Sequence, residues 1–102
     1  MTDAIPLAIN IIVSDQHVRN GRPTILGTGL CVSDIAAATV FRGESPDQIA
    51  VGFSLSLEQV HAALAYYYGH KAEIDAEIAE QSRKIDEAKG KFVGKRNPLL
   101  PR

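Results

Sequence analysis

The strongest constraint in this 102-residue chain is a doubled helix-start signal: Ser45-Pro46-Asp47-Gln48, then Ser56-Leu57-Glu58-Gln59. In each, the serine oxygen can accept from the backbone N–H of the third helical residue while the glutamine reaches back to the serine N–H. Two donors that a helix start leaves without partners are thereby satisfied together. Pro46 falls at the first helical position, where a missing N–H costs nothing. Leu55 and Val60 flank the second start in hydrophobic-staple positions. The first of these helices has to stop near Gly52, and two short-linked capped helices are the sequence shape of a helix-turn-helix.

The flanking segments extend this frame. Ser33 or Asp34 can cap an earlier helix, whose run from Ile35 to Phe41 is apolar on nearly all sides and predicts deep burial, with Gly43 at its C-terminal cap. Further upstream, Ile5, Leu7, Ile9, Ile11 and Val13 alternate with a period of two and predict a strand, with Pro6 favouring a sheet edge. Such an apolar strand is a candidate for pairing with another copy. Thr24-Ile25-Leu26 reads as a short strand between turns at Asn20-Gly21 and Gly27-Thr28-Gly29, and Leu30-Cys31-Val32 as a further extended piece.

Downstream, Leu57, Val60, Leu64, Tyr67, Ile74, Ile78, Ile85 and Ala88 keep one heptad register. The register crosses Gly69 without a phase shift, which favours one continuous helix to about Ala88; the alternative is a stop near Gly69 and a separate helix after it. A heptad stripe cannot bury itself. It predicts a homodimer or higher homo-oligomer with Leu64, Tyr67, Ile74, Ile78 and Ile85 as the seam. The expected fold is mainly α: short N-terminal β strands followed by a three-helix helix-turn-helix domain with a long last helix, over residues 1–88. Gly90, Gly94, Pro98 and Pro101 interrupt helical patterning beyond it, and residues 89–102 read as a basic flexible tail.

Charge sharpens the reading of function. Residues 1–88 carry six Lys/Arg and twelve Asp/Glu, whereas residues 89–102 carry five basic residues and no acid. An acidic body is the reverse of a simple basic DNA-binding domain. In a helix-turn-helix the start of the second helix enters the major groove. Here Gln59 can pair with adenine and Ser56 can touch phosphate, but Glu58 repels phosphate and no cation stands beside them. Arg22 and Arg42 are the candidate phosphate contacts, with Arg19 and the tail.

Other chemistries find little footing. His17, His61, His70 and Cys31 have no metal-ligand spacing, so neither metal nor cofactor is expected. Cys31 sits in an apolar run, as a small core residue does. Gly27-Thr28-Gly29 lacks a following lysine and a helix opening from it, so it reads as a turn, not a phosphate loop. The six acids between Glu73 and Glu87 read as a solvated helix face, and the whole chain reads as non-enzymatic. One cysteine, no leader pattern and no bilayer-length apolar run favour a cytoplasmic, non-membrane protein.

The pieces Gly21-Arg22-Pro23-Thr24-Ile25-Leu26-Gly27-Thr28, Val32, Gly43-Glu44-Ser45-Pro46, Ile49-Ala50 and Leu57-Glu58-Gln59-Val60-His61-Ala62-Ala63-Leu64-Ala65-Tyr66-Tyr67 resemble, in order and spacing, the family called domain of unknown function 433. The resemblance covers roughly residues 9–70. It departs from the family pattern at Gly29, Cys31 and Phe53-Ser54, where arginine, proline and a tyrosine-proline pair are usual. Such proteins look like small helix-turn-helix domains, and many are described as VapB-like antitoxins, often encoded beside a PIN-like ribonuclease toxin. The resemblance therefore implies a repressor of its own operon that also neutralises a toxin. The tail residues Lys91, Phe92, Lys95 and Arg96 would then meet the carboxylate-rich site of the nuclease. The alternative is an oligomerisation or adaptor module that uses the same fold without DNA.

Overall fold

A computed structural model describes residues 3–96, with side chains described as far as Lys89. Two short strands precede four helices: β1 (Ile12–Val13), β2 (Thr24–Ile25), α1 (Val32–Val40), α2 (Pro46–Phe53), α3 (Leu57–Gly69) and α4 (Lys71–Arg96). The architecture is mainly helical with a long last helix, as the sequence predicts, and the described residues form four α-helices where three were expected.

β1 and β2 pair antiparallel with Ile12 opposite Ile25 and Val13 opposite Thr24. Their extent is set by the turn after β2. The Thr28 hydroxyl donates to the Ile25 carbonyl at 2.8 Å and accepts from the Leu30 N–H at 3.0 Å, closing the loop tightly. Chain direction then reverses, Thr24 bridges Cys31, and α1 begins at once. The long N-terminal strand expected from Ile5 is thus corrected to two residues. A two-residue neighbour can pair no more, and Ile5, Leu7 and Ile9 are left 80%, 90% and 72% exposed. The extended piece at Leu30–Val32 is likewise reduced to the Cys31 bridge.

α1 is the hub of the core, packing against α2, α3 and α4. Cys31 is its capping position; Asp34, three residues on, accepts the Cys31 N–H at 2.9 Å. Ile35, Ala36 and Ala38 are fully buried, and they meet Ile25, Ile49, Val60, Leu64, Tyr67, Ile74 and Ile78. The predicted deep burial stops short of the helix end, because Val40 and Phe41 are 47% and 67% exposed. Gly43, at φ +66°, turns the chain so that the Glu44 N–H reaches the Ala38 carbonyl at 3.1 Å.

The continuous heptad helix is the main correction. His70 leaves the helical region, with φ −134° and ψ 42°, and its N–H closes α3 on the Tyr66 and Tyr67 carbonyls at 3.0 Å each. The His70 carbonyl then receives the Ile74 N–H at 3.0 Å, so one residue ends α3 and starts α4. The break lets α4 fold back against α1, burying Ile74 and Ile78 in the same core as Tyr67 and Leu64. The expected end near Ala88 is also corrected: α4 runs past Gly90 and Gly94 to Arg96. Residues 97–102 of the predicted tail lie outside the described residues. Among the described residues no helix is long and apolar enough to cross a membrane.

Candidate functional site

The helix-turn-helix lies where the capping signals place it. Ser45 Oγ accepts from the Gln48 N–H at 3.2 Å and Gln48 Oε1 accepts from the Ser45 N–H at 2.8 Å. The same pair of bonds joins Ser56 and Gln59, at 3.1 and 2.8 Å. Between the helices Ser54 adopts a left-handed conformation, φ 59° and ψ 47°, and the Leu55 N–H turns back to the Ala50 carbonyl at 2.8 Å. Leu55 packs on the core with buried Val60 three residues into α3. Asp47, Val51, Leu57, Glu58 and His61 stay exposed on this unit, a surface of acid and apolar groups.

This geometry divides the four candidate DNA contacts. Ser56 is exposed, yet its hydroxyl oxygen already accepts a cap bond; Gln59 is half-buried, with its amide oxygen bound to the Ser56 N–H. Paired reading of adenine uses both the oxygen and the nitrogen of a glutamine amide, so the cap competes with that contact. Arg42 is ion-paired with Glu44 at 2.9 Å. Arg22 is half-buried, its Nε donating to the Arg19 carbonyl at 3.2 Å. Both arginines border α4, in grooves that neither Ser56 nor Gln59 lines.

The predicted dimer seam is corrected as well. Leu64, Tyr67, Ile74 and Ile78 lie in the core of a single chain, so they cannot face a second copy; Ile85 of that set is exposed. The backbone of Lys91, Phe92, Lys95 and Arg96 belongs to α4, and their side chains lie outside those described.

A face between α1 and α4 gathers groups that sequence reading kept apart. A groove of about 400 Å³ runs between Ala37 of α1 with the capping Phe41, Phe53 of α2, and Ile78, Ser82 and Ile85 of α4, and Ser33, Asp34, Arg42 and Gln81 complete a mixed polar and apolar lining. Beside it, Arg19, Arg22 and Lys84 line a second depression of about 380 Å³ together with Asp34 and Gln81. Glu77 is half-buried under this face. Burial pushes its carboxyl above the ordinary glutamate range; Arg22 and the Ser33 hydroxyl oppose the shift, while Glu73 and Asp34 add to it. Burial likewise raises the Cys31 thiol, against a smaller pull from Arg19, so this cysteine is an inert core group. One sequence signal pointed to the face, a heptad stripe that continues past Ile78; Phe41, just past α1, reads from the sequence as buried but is exposed.

At the α3–α4 break, Tyr66 and His70 stack at 3.9 Å between ring centroids, and His70 Nδ1 lies 3.0 Å from the Tyr66 carbonyl. The Tyr67 hydroxyl donates to Asp75 Oδ1 at 2.8 Å, and Lys71 Nζ donates to Asp75 Oδ2 at 3.2 Å. These contacts fix the angle at which α4 leaves α3. Among the described residues no three His, Cys, Asp or Glu side chains gather as a metal site.

Compared with known proteins, the chain matches the family model described as "Protein of unknown function (DUF433)" over residues 12–67. The matched span runs from β1 to Tyr67 and leaves α4 wholly outside it. No curated protein and no solved structure matches the chain.

Proposed function

This chain belongs to the DUF433 family of proteins of unknown function, and from that premise we propose that it is an antitoxin-like regulator, a dimeric helix-turn-helix protein whose long last helix engages a PIN-like ribonuclease toxin. The observation that carries the reading is the length of α4. Its 26 residues reach about 39 Å at helical rise, yet among its described side chains the buried ones are Ile74 and Ile78, in the first turns. From Ala79 to Lys89 its residues are exposed or half-buried, and its sequence becomes basic through Lys89, Lys91, Lys95 and Arg96. A long helix with a cation-rich end in its sequence suits a carboxylate-rich nuclease site. The experiment is co-purification with a PIN-like nuclease at low and high salt, with the full chain and with a chain ended after Ala88. Salt-sensitive capture that depends on the arm supports the reading; capture unchanged by the truncation removes the arm from it.

A second reading, an adaptor that binds no DNA, is favoured by the state of the α3 start. Ser56 and Gln59 are engaged in their own cap, Glu58 stands between them, and Arg42 is paired. Cation–phosphate contacts dominate affinity for DNA, and this turn supplies none. Mobility shift on the protein's own promoter at low salt separates the two. A shift that is lost on Arg22→Ala supports the regulator; no shift, with or without the nuclease, leaves the adaptor.

A further inference from the structure

We propose that Arg19, Arg22 and Lys84 form a binding site for one phosphate dianion, free or borne on a small molecule, and not for the backbone of a nucleic acid. Among the described residues Arg42, Lys71 and Arg83 are each ion-paired with an acid of their own segment. Arg19, Arg22 and Lys84 have no described carboxylate within ion-pair distance, yet all three line one depression of about 380 Å³. Like charges gathered without a counter-charge repel one another, and an anion between them removes that cost. The two arginines are held there by a strained turn. Arg19 and Asn20 are consecutive non-glycine residues at φ 52° and 59°, a conformation that stores strain. What the turn achieves is position. Arg19 Nη1 donates to the Gly29 carbonyl at 2.9 Å, and Arg22 Nε donates to the Arg19 carbonyl at 3.2 Å. Both terminal nitrogens of Arg22 are without a hydrogen-bond partner among the described residues, which leaves the fork that grips phosphate oxygens in pairs.

Charge and size define the ligand. Asp34 is the acid on this lining, and its Oδ2 already accepts the Cys31 N–H at 2.9 Å. Three cations against one carboxylate leave two positive charges over, the match of a phosphate dianion. The volume falls within the range of small-molecule sites and has room for the rest of a small ester. Arg22 and Lys84 also border a neighbouring depression lined by Glu73, Glu77 and Glu80. A nucleic acid draws its affinity from a run of phosphate contacts. Here acids flank the site, and Arg83 is already taken by Glu80 and Glu87, so one phosphate group finds a place and a run of them does not.

The inference goes beyond the regulator reading and rests on neither DNA nor a nuclease. The test is calorimetric titration of the full chain with inorganic phosphate, with adenosine monophosphate and with adenosine. Both phosphate probes should bind, more weakly as salt rises, and adenosine should not. Tighter binding of the monophosphate makes the ligand an ester, equal binding makes it the free ion, and either supports the site. Arg22→Ala should weaken binding about tenfold or more. Arg22 is half-buried, so Lys84→Ala, at an exposed position, is the variant that keeps the fold; a loss of roughly threefold is expected there. Lys71→Ala removes the same charge at the start of α4 and should change nothing. Failure of both phosphate probes to bind at millimolar concentration overturns the proposal. So does binding indifferent to Arg22→Ala and Lys84→Ala, binding weakened as much by Lys71→Ala, or adenosine bound as tightly as its monophosphate. Promoter duplex held through Arg22, with neither phosphate probe bound, overturns it too and leaves the regulator reading standing.

Discussion

The Tyr67 hydroxyl donates to the Asp75 carboxylate across the single non-helical residue that divides α3 from α4. The tyrosine ring is fully buried, while its oxygen reaches the more open face where Lys71 also meets Asp75. The bond thus ties the direction of α4 to a side chain that the core already holds fixed. Both donors hold the Asp75 carboxyl below the ordinary aspartate range, Tyr67 more than Lys71.

Tyr67→Phe should keep the core and lose this tie, lowering the melting temperature. Tyr67→Ala should cost far more, about 3–5 kcal/mol, because a buried aromatic ring is removed. The pH dependence follows from the lowered Asp75 carboxyl. Its stabilisation is complete above the unfolded-state value and is lost as pH falls through the folded one. Thermal melts of Tyr67→Phe should therefore converge with wild type in acid, and a constant gap down to pH 2 would contradict the assignment.

Glu77 predicts the opposite sign. Its carboxyl is raised by burial, so folding favours the protonated form, and stability falls as pH rises from the unfolded value through the folded one. Glu77→Gln should raise the melting temperature at neutral pH and remove that part of the pH dependence. A variant less stable than wild type at pH 7 would mean that Arg22 outweighs burial.

Ser54 is a non-glycine residue at φ 59°. Ser54→Gly relieves the steric cost of the left-handed conformation and should stabilise by about 1 kcal/mol in denaturant unfolding. The turn between α2 and α3 is the locus of that gain, so the helix content should not change.

Ser45→Ala and Ser56→Ala each remove one half of a reciprocal cap and should cost about 1 kcal/mol apiece. Urea titrations of the single and double variants would measure both. The two caps share no hydrogen-bond partner, so the costs should add.

Ile74→Ala probes the fate of the heptad stripe. As a fully buried core residue it should cost about 2–5 kcal/mol in chain stability. If it instead lowered only the dimerisation constant, the stripe at this point would lie between chains and not within one.

The helix starts were legible because a cap is a local chemical event: Ser45, Gln48, Ser56 and Gln59 need only one another. The break at His70 was not, because a single residue off the helix leaves the 3–4 spacing of Tyr67 and Ile74 intact. What decides it is the apolar face of α1, which draws Ile74 and Ile78 inward, and no periodicity within α3 and α4 encodes that. The N-terminal alternation misled for a related reason. A strand needs a neighbour as well as a pattern, and beyond Ile25 the chain turns away. The α1/α4 face is built from residues as distant as Arg22, Phe41 and Ile85, each ordinary in its own surroundings. Arg22 and Arg42 read as candidate phosphate contacts from their charge; only the fold shows that both line grooves bordered by α4.

The placement of His70 gives α4 a mechanical property. Its described core contacts lie near one end, at Tyr67, Asp75, Ile74 and Ile78, while the helix runs about 27 Å beyond Ile78 at helical rise. A rod held at one end magnifies rotation at its mount. A tilt of about 10° at the first turns carries the far end through roughly 5 Å on that length, close to one helical turn's advance. Repacking by a methyl group or two beneath Ile78 is thus read out as a large displacement of the cationic tip, and the small core doubles as the aiming mechanism for a surface far outside it.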